Sequence, residues 1–167
     1  MSLYALTKHL HHACEAHPFG SRMSKGNVTP QEWADWLWAF SVLHFVVDPS
    51  LPRSFARGMA LEMDLSVLPP ATPSRAAFLF AAHLTEEDRT GAAYVLHGAH
   101  CSGGRVMAPI LSKRGLPVAH TVYQDWDAVR KWLTSTRDNE DAAHVAASTF
   151  QCLLSVMDEI EDRSRPT

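Results

Sequence analysis

The 167-residue sequence has little cysteine, with only Cys14, Cys101 and Cys152. They are scattered and odd in number, and they lack metal-ligand spacing, which excludes a disulfide framework and a cysteine zinc site and predicts reduced thiols. No apolar run reaches the ~18 residues of a membrane span. Polar residues from Thr7 onward leave no secretory signal pattern at the N-terminus. We therefore expect a cytoplasmic protein without a membrane partner.

An excess of charge of either sign is also missing. Charged residues make up 20% of the chain and the formal net charge is -3, so nucleic acid is not expected as a partner. Apolar residues make up 46%, and the length suits one domain with a sizeable core. No repeat, linker or low-complexity segment interrupts the sequence. The prediction is a single domain over residues 1–167, with a frayed polar tail at 163–167.

Strand-like alternation is absent, and the dominant period is helical. Thr29, Pro30 and Glu32 form the signature of a capped helix start, and Asp48-Pro49 marks the end of that helix. The sequence predicts one all-α bundle of six to eight helices, with a loop between His17 and Thr29. The expected helices cover about 3–17, 29–48, 53–68, a segment from 72, 85–111, 123–136 and 141–160. The expected apolar stripe of the first helix is Leu3, Leu6, Leu10, Ala13 and Cys14.

Glycine is rare, but three of the eight glycines fall within one helix-like run, Tyr94–Gly104. Each glycine inside a helix costs about 1 kcal/mol relative to alanine. Gly98, Gly103 and Gly104 therefore indicate a compensating need. Two needs are compatible with the spacing: a backbone that lies flat against a broad ligand, and close contact between helices.

The polar side of the first helix carries Tyr4, Lys8, His11 and Glu15, which the spacing of 4, 3 and 4 places on one stripe. An iron porphyrin needs an axial donor such as neutral imidazole, and cations or hydroxyls for its propionates. Glu15, one turn further on, is placed to orient the His11 ring through the second nitrogen or through a water. The alternative is a solvated surface stripe.

These two patterns together resemble the heme oxygenase family. Residues 6–15 (LTKHLHHACE) are similar to the family's first helix, and the spacing to Lys25-Gly26 places the proximal histidine at His11 rather than at His9 or His12. Residues 91–106 are similar to the family's distal helix, whose flexible glycines lie over the heme. The resemblance extends from about residue 3 to residue 160.

The resemblance implies a heme-oxygenase-like multi-helical bundle and an enzyme of that activity. Heme would be both substrate and cofactor, cleaved with O2 to biliverdin, CO and Fe2+. A separate redox partner, either a ferredoxin, a flavodoxin or a reductase, would supply the electrons. His11 would be the axial iron ligand, and Lys8, Tyr94 and Arg130 would hold the propionates. The distal pocket would be lined by Gly98, Ser102, Gly103 and Gly104.

The sequence departs from the family at the distal helix. His97 and Ala99 replace a glutamate and a serine that are common in bacterial members, and His100 stands where many animal-type members carry an aspartate. Two roles are open to His100: it shuttles protons near neutral pH, or it fills the sixth iron site and blocks oxygen. The simplest interpretation of His97 is a packing or surface residue.

Two further hypotheses stay open beside the enzyme. One is a heme-binding carrier or sensor of the same fold, with both axial positions held by histidine through His100. The other is a helical interaction domain that has the fold without the ligand.

Overall fold

The computed structural model describes residues 2–165, which form a bundle of nine α-helices without a strand. The helices are α1 (Leu3–Ala16), α2 (Pro18–Ser24), α3 (Pro30–Val47), α4 (Gly58–Ser66), α5 (Arg75–His83), α6 (Arg89–Gly98), α7 (Arg105–Lys113), α8 (Trp126–Thr136) and α9 (Ala143–Ser164). Short 3-10 turns occupy Asp48–Ser50, Arg53–Phe55 and Ala119–Thr121. The expected all-α bundle is confirmed, with more helices than expected.

One additional helix comes from the segment expected to be a loop after His17. The backbone of His17 is extended, which ends α1, and its Nδ1 accepts a hydrogen bond from Phe19 N at 3.2 Å. Pro18 then occupies the first turn of α2, where a missing N–H costs nothing. His17 and Pro18, which were expected to begin a loop, therefore form the capped start of α2.

Several predicted helix ends are shifted. The helix expected over 53–68 is a 3-10 turn followed by α4, because the backbone N–H of Arg57 donates to the Asp48 side chain instead of continuing a helix. The capped start expected at Thr72 is replaced by Ser74, whose side chain caps α5. The start expected at Thr85 is a turn, and α6 begins at Arg89.

The capping box predicted for α3 is present. Thr29 Oγ1 accepts from Glu32 N at 3.2 Å, and Glu32 Oε2 accepts from Thr29 N at 2.7 Å. This helix lies in the middle of the bundle and buries the predicted apolar face. Its buried apolar residues include Trp33, Trp36, Leu37, Phe40, Leu43 and Val47.

The apolar stripe expected for α1 is only partly correct. Leu3 is buried, but Leu6 and Ala13 are exposed, and the second buried residue is Thr7, whose hydroxyl donates to the carbonyl of Leu3. The helix packs on α9 with a narrow face. Most of its surface therefore remains outside the bundle core.

The backbone stays helical from α6 through a π-helical segment (Ala99–Gly104) into α7. We call this continuous stretch, Arg89–Lys113, the glycine rod. A π-helical segment widens the turn and is frequent at functional sites. Gly91 brings the rod close to α9, because a Cβ there would stand 2.5 Å from the carbonyl oxygen of Ala142. α1 also packs on α9, so this helix is the common base of α1 and the rod.

The tail is more ordered than expected. α9 extends to Ser164, and Arg163 Nη1 donates to Asp35 Oδ2 at 2.7 Å. Ser164 Oγ donates to Glu32 Oε1 at 2.8 Å. The remaining tail positions, 166 and 167, lie outside the described residues. Within the described part of the chain, no helix is long and apolar enough to cross a membrane.

Candidate functional site

The stripe predicted on α1 faces outward. Tyr4, Lys8, His11 and Glu15 are all exposed. The His11 ring meets Phe150 of α9 edge to face, with the ring centroids 6.0 Å apart. Glu15 Oε2 lies 3.6 Å from His11 Nδ1. α1 therefore presents an accessible imidazole with a carboxylate beside its Nδ1.

The glycine rod presents bare backbone on part of its surface. A Cβ added at Gly98 would meet no atom within 4 Å, and one at Gly103 would meet only Met107 Cε at 3.7 Å. Ser102 lies between them in the sequence and is exposed. Gly104 is different, since a Cβ there would lie 3.0 Å from Thr121 Cγ2. Gly98 and Gly103 thus leave space open, whereas Gly104 permits close packing.

Tyr4 of α1, Tyr94 of α6 and Arg137 at the end of α8 lie near one another. The Arg137 guanidinium stands 4.4 Å from the centre of the Tyr4 ring. Burial raises the pKa of Tyr94, and the nearby Arg137 charge opposes that rise. This end of the site therefore offers two phenols and a cation, together with Lys8 one turn further along α1.

Arg137 was not among the residues predicted from the sequence. The resemblance implied Arg130 instead, which lies two helical turns earlier on α8 and is exposed. Burial raises the pKa of Cys101 in the π-helical segment to about 11, and Arg130 opposes that rise. Arg130 therefore lies within electrostatic range of Cys101. The signal that was available is the spacing of seven residues, which places both arginines on one side of α8.

A buried network of histidines ties the rod to the C-terminal end of α3. His100 and His44 are fully or almost fully buried, and their Nε2 atoms lie 2.9 Å apart. His44 Nδ1–H donates to Asp48 Oδ1 at 2.9 Å, and His97 Nε2–H donates to the same oxygen at 3.1 Å. Tyr123 Oη completes the set, 2.7 Å from His97 Nδ1. His97 is therefore a buried network residue rather than a surface residue.

Protonation states in this network follow from burial. Burial lowers the pKa of His44 to about 4, although its hydrogen bond to Asp48 opposes the shift. Burial and the nearby histidines also hold the pKa of His100 well below its ordinary value. Burial would raise the pKa of Asp48, but the hydrogen bonds from His44 and His97 outweigh it and lower that pKa. At neutral pH the two histidines are neutral and Asp48 is ionised.

With His44 Nδ1–H donating to Asp48, His44 Nε2 is the acceptor and His100 Nε2–H is the donor of the bond between the two rings. His100 is directed toward α3, where it also lies beside Phe40 and the buried His120, at ring-centroid distances of 4.8 and 5.1 Å. The sequence contained one signal for this network, the i, i+4 pair of His44 and Asp48 on α3.

Comparison with solved structures shows which architecture this is. Heme oxygenase-1 from the cyanobacterium Synechocystis, solved in complex with heme, superimposes with a TM-score of 0.80 at 16% identity, covering 96% of this chain and 91% of that one. Heme oxygenase from Leptospira interrogans gives a TM-score of 0.71 at 18% identity, covering 96% and 97%. The chain has the heme oxygenase fold. No protein-family model and no curated protein sequence matches it.

Within this heme oxygenase fold, the two patterns that the sequence singled out are carried by α1 and the glycine rod, which both pack on α9. The exposed imidazole of His11 belongs to the first, and the open backbone at Gly98 belongs to the second. The buried histidine network connects the rod to the C-terminal end of α3.

Proposed function

We propose that this protein is a heme oxygenase that cleaves heme with O2 and external electrons to biliverdin, CO and Fe2+. The observation that carries the proposal is the open space at Gly98, where a side chain would meet nothing within 4 Å, in a fold shared with a heme-bound heme oxygenase. Gly98 and Gly103 lower the stability of the helix without allowing closer packing, and they leave room for a flat ligand.

The residues present suit a heme. His11 would supply the imidazole for the iron, and Glu15, whose Oε2 lies 3.6 Å from His11 Nδ1, would help to orient the ring. Phe150 supports the edge of the His11 ring from α9. Gly98 and Gly103 admit the macrocycle to the rod's backbone, with Ser102 exposed beside them. Gly104 contributes indirectly, by letting the rod approach Thr121.

The propionates need cations and hydroxyls at one end of the site. Lys8, Tyr94 and Arg137 provide them, with Tyr4 holding Arg137 in place through its ring. Arg130, which the family resemblance implied for this role, lies within electrostatic range of Cys101. We assign it a smaller contribution to propionate binding than Arg137. Heme supplies the iron centre at which oxygen is activated.

His100 favours an enzyme over a carrier with two histidine ligands. Its Nε2 is committed to His44, and its ring is packed beside Phe40. Iron ligation through Nε2 would break the bond to His44 and leave that buried nitrogen without a donor, at a cost of about 1–3 kcal/mol. We assign His100 to holding or relaying a proton next to the distal site, a role that neutral imidazole suits.

The electrons must come from outside the chain, so we propose a ferredoxin, a flavodoxin or a reductase as redox partner. A cytoplasmic location agrees with three free cysteines, of which Cys101 and Cys152 are buried.

A hemin titration with turnover tests the proposal. Hemin is added to the purified protein, the Soret band is recorded, and a reductant and oxygen are then supplied. We expect a one-to-one complex and a biliverdin spectrum. A stable bis-histidine spectrum without biliverdin would show the carrier, and a Soret band of free hemin would exclude heme binding.

Substitution of single histidines on α1 tests whether His11, rather than His9 or His12, is the axial ligand of the heme iron. His11→Ala is expected to remove the spectral bands of histidine ligation to the heme iron. His9→Ala and His12→Ala alter exposed neighbours on the same helix and are expected to retain these bands. Loss of these bands in either neighbour variant, with His11→Ala unaffected, would overturn the assignment.

A further inference from the structure

The buried network between α3 and the glycine rod contains three atoms of the kind that bind metal ions. His44 Nδ1 and His97 Nε2 lie 2.9 and 3.1 Å from Asp48 Oδ1, and all three atoms lie within 4.8 Å of one another. Metal–nitrogen and metal–oxygen bonds of about 2.1 Å place neighbouring ligand atoms roughly 3.0–3.4 Å apart. The spacing to the carboxylate is therefore close to that of a ligand set around one ion.

We propose that His44, Asp48 and His97 form a binding site for a divalent first-row transition-metal ion. Two imidazoles and one carboxylate are a ligand set used for zinc and for non-heme ferrous iron. Asp48 retains a small exposed fraction of 10%, whereas both histidines are fully buried, so an ion and a water ligand would enter past Asp48. The site shares no ligand residue with the proposed heme site, because His44, Asp48 and His97 have no role in holding the heme.

Each of the three ligands is held by an outer partner, as metal ligands generally are. The far nitrogen of His44 meets His100 Nε2 at 2.9 Å, and the far nitrogen of His97 meets Tyr123 Oη at 2.7 Å. The second carboxylate oxygen of Asp48 accepts from the backbone N–H of Arg57 at 2.8 Å. These contacts fix both rings and the carboxylate with the ligand atoms pointing at one another.

Metal binding competes with protons for ligand atoms. His44 and His97 each direct one ring nitrogen at Asp48 Oδ1, so each must present that nitrogen without its proton when an ion binds. When the ion binds, the ring protons of His44 and His97 move to the far nitrogens, which then donate hydrogen bonds to His100 Nε2 and Tyr123 Oη. His100 in turn carries its own ring proton on Nδ1 instead of Nε2, so that its Nε2 can accept. The imidazoles keep their proton count.

Arg57 sets a limit on the affinity. Its buried guanidinium stands 3.8 Å from the centre of the Tyr123 ring and donates to the carbonyls of Phe55 and Val122. A divalent ion nearby would be repelled by this charge. The same three ligand atoms are satisfied by hydrogen bonds without an ion, so the metal-free protein remains folded. We therefore expect a site that can be emptied with a chelator and refilled.

Cobalt(II) is the probe, because its visible bands report coordination by protein ligands. Chelator-treated protein, free of heme, is titrated with Co2+, followed by absorbance, calorimetry and the apparent Tm. We expect one tightly bound equivalent, d–d bands in the visible range, and a Tm that rises with Co2+ concentration. Asp48→Asn and His97→Gln keep the side-chain size approximately and are expected to weaken binding at least tenfold.

The matched control addresses the other group of three ligand-type side chains in the described part of the chain, the exposed His11, His12 and Glu15. His12→Ala removes one member of that group and is expected to leave the tight equivalent unchanged. Loss of the tight equivalent in His12→Ala with retention in His97→Gln would place the metal on α1 and overturn the proposal.

A second measurement keeps the test decisive if a buried variant fails to fold by far-UV circular dichroism. X-ray absorption of zinc-loaded His12→Ala protein is expected to show two imidazole ligands with oxygen or nitrogen neighbours at about 2.0–2.1 Å. A spectrum of fully hydrated zinc, or the absence of a tight equivalent in the wild-type titration, would overturn the proposal. Neither readout depends on heme, so this site and the proposed function fail independently.

Discussion

The Nε2 atoms of His44 and His100 lie 2.9 Å apart in the interior of the bundle, so one imidazole–imidazole hydrogen bond ties the glycine rod to α3. His44 also donates to Asp48 through its other nitrogen at 2.9 Å. A single ring therefore links the half-buried carboxylate of Asp48, just after α3, to the π-helical segment.

Replacing His44 removes both of these bonds at once. His44→Phe fills the same volume but leaves the buried His100 Nε2–H without an acceptor and Asp48 Oδ1 with only the bond from His97, so we expect the free energy of unfolding to fall by about 2–4 kcal/mol. Urea denaturation followed by circular dichroism measures this. His83→Phe, on the exposed end of α5, is the control and is expected to change stability by less than about 0.5 kcal/mol. Equal stabilities of the two variants would contradict the structural role of His44.

The relation between sequence and structure differs between these features for a physical reason. The α3 capping box and the glycine-rich rod were readable because each depends on residues within one or two helical turns. The His44–His100 bond joins residues 56 positions apart, and the Arg137–Tyr4 contact joins residues even further apart along the chain. Such pairs depend on how helices pack, which periodicity within one helix does not encode.

The α1 stripe shows the same limit from the other direction. Periodicity predicted Leu6 and Ala13 on the buried face, but both are exposed and Thr7 is buried instead. Thr7 tolerates burial because its hydroxyl donates to the Leu3 carbonyl at 2.9 Å. The buried face of α1 is therefore displaced from the stripe that hydrophobicity selected, and a local hydrogen bond makes the burial of Thr7 possible. The polar stripe with His11 is exposed, which is compatible both with a ligand face and with a solvated surface.

Two glycines of α6 are expected to respond oppositely to the same substitution. Gly98→Ala adds a methyl to open space and gains helix propensity, so stability rises by up to about 1 kcal/mol. If the rod's backbone contacts heme, hemin affinity falls in this variant. Gly91→Ala forces a methyl against the Ala142 carbonyl, and we expect a loss of about 1–3 kcal/mol. Urea denaturation and hemin titration of both variants check this; a destabilised Gly98→Ala protein would show that the space is not open.

Arg137 is expected to matter more for heme affinity than Arg130. Arg137→Met removes the cation held against Tyr4, and an exposed charge-assisted contact with a propionate is worth about 1 kcal/mol, so the hemin Kd should rise about fivefold. Arg130→Met is the matched control, with less than a twofold change. Hemin dimethyl ester, which lacks the propionate charges, should bind the wild type and Arg137→Met equally. A larger rise of the hemin Kd in Arg130→Met than in Arg137→Met would show that Arg130 binds the propionate, as the family resemblance implied.

Acid stability is expected to depend on Glu32, which connects α3 to α2 and to the end of α9. Its carboxylate lies 2.9 Å from Arg22 Nη2 and accepts from Thr29 N and Ser164 Oγ. Burial would raise the pKa of Glu32, but these hydrogen bonds outweigh burial and lower it from the ordinary 4.5. A lowered folded-state pKa stabilises the protein above the unfolded-state pKa, and this stabilisation is lost as the pH falls through the folded-state value.

Unfolding experiments in urea at pH 7, 5, 4 and 3 therefore test one carboxylate against the rest. The free energy of unfolding of the wild type should stay constant between pH 7 and 5 and decrease below about pH 4.5, because Glu32 then takes up a proton when the protein unfolds. Arg22 also contacts the neighbouring Glu161, which shares this guanidinium with Glu32. Glu32→Gln should be less stable by about 1 kcal/mol at pH 7 and lose less on acidification, because its amide does not titrate. Glu86→Gln, on the exposed turn before α6, should follow the wild-type curve. Parallel pH curves for the wild type and Glu32→Gln would show that the acid sensitivity arises elsewhere, with the buried Asp48 as the next carboxylate to test.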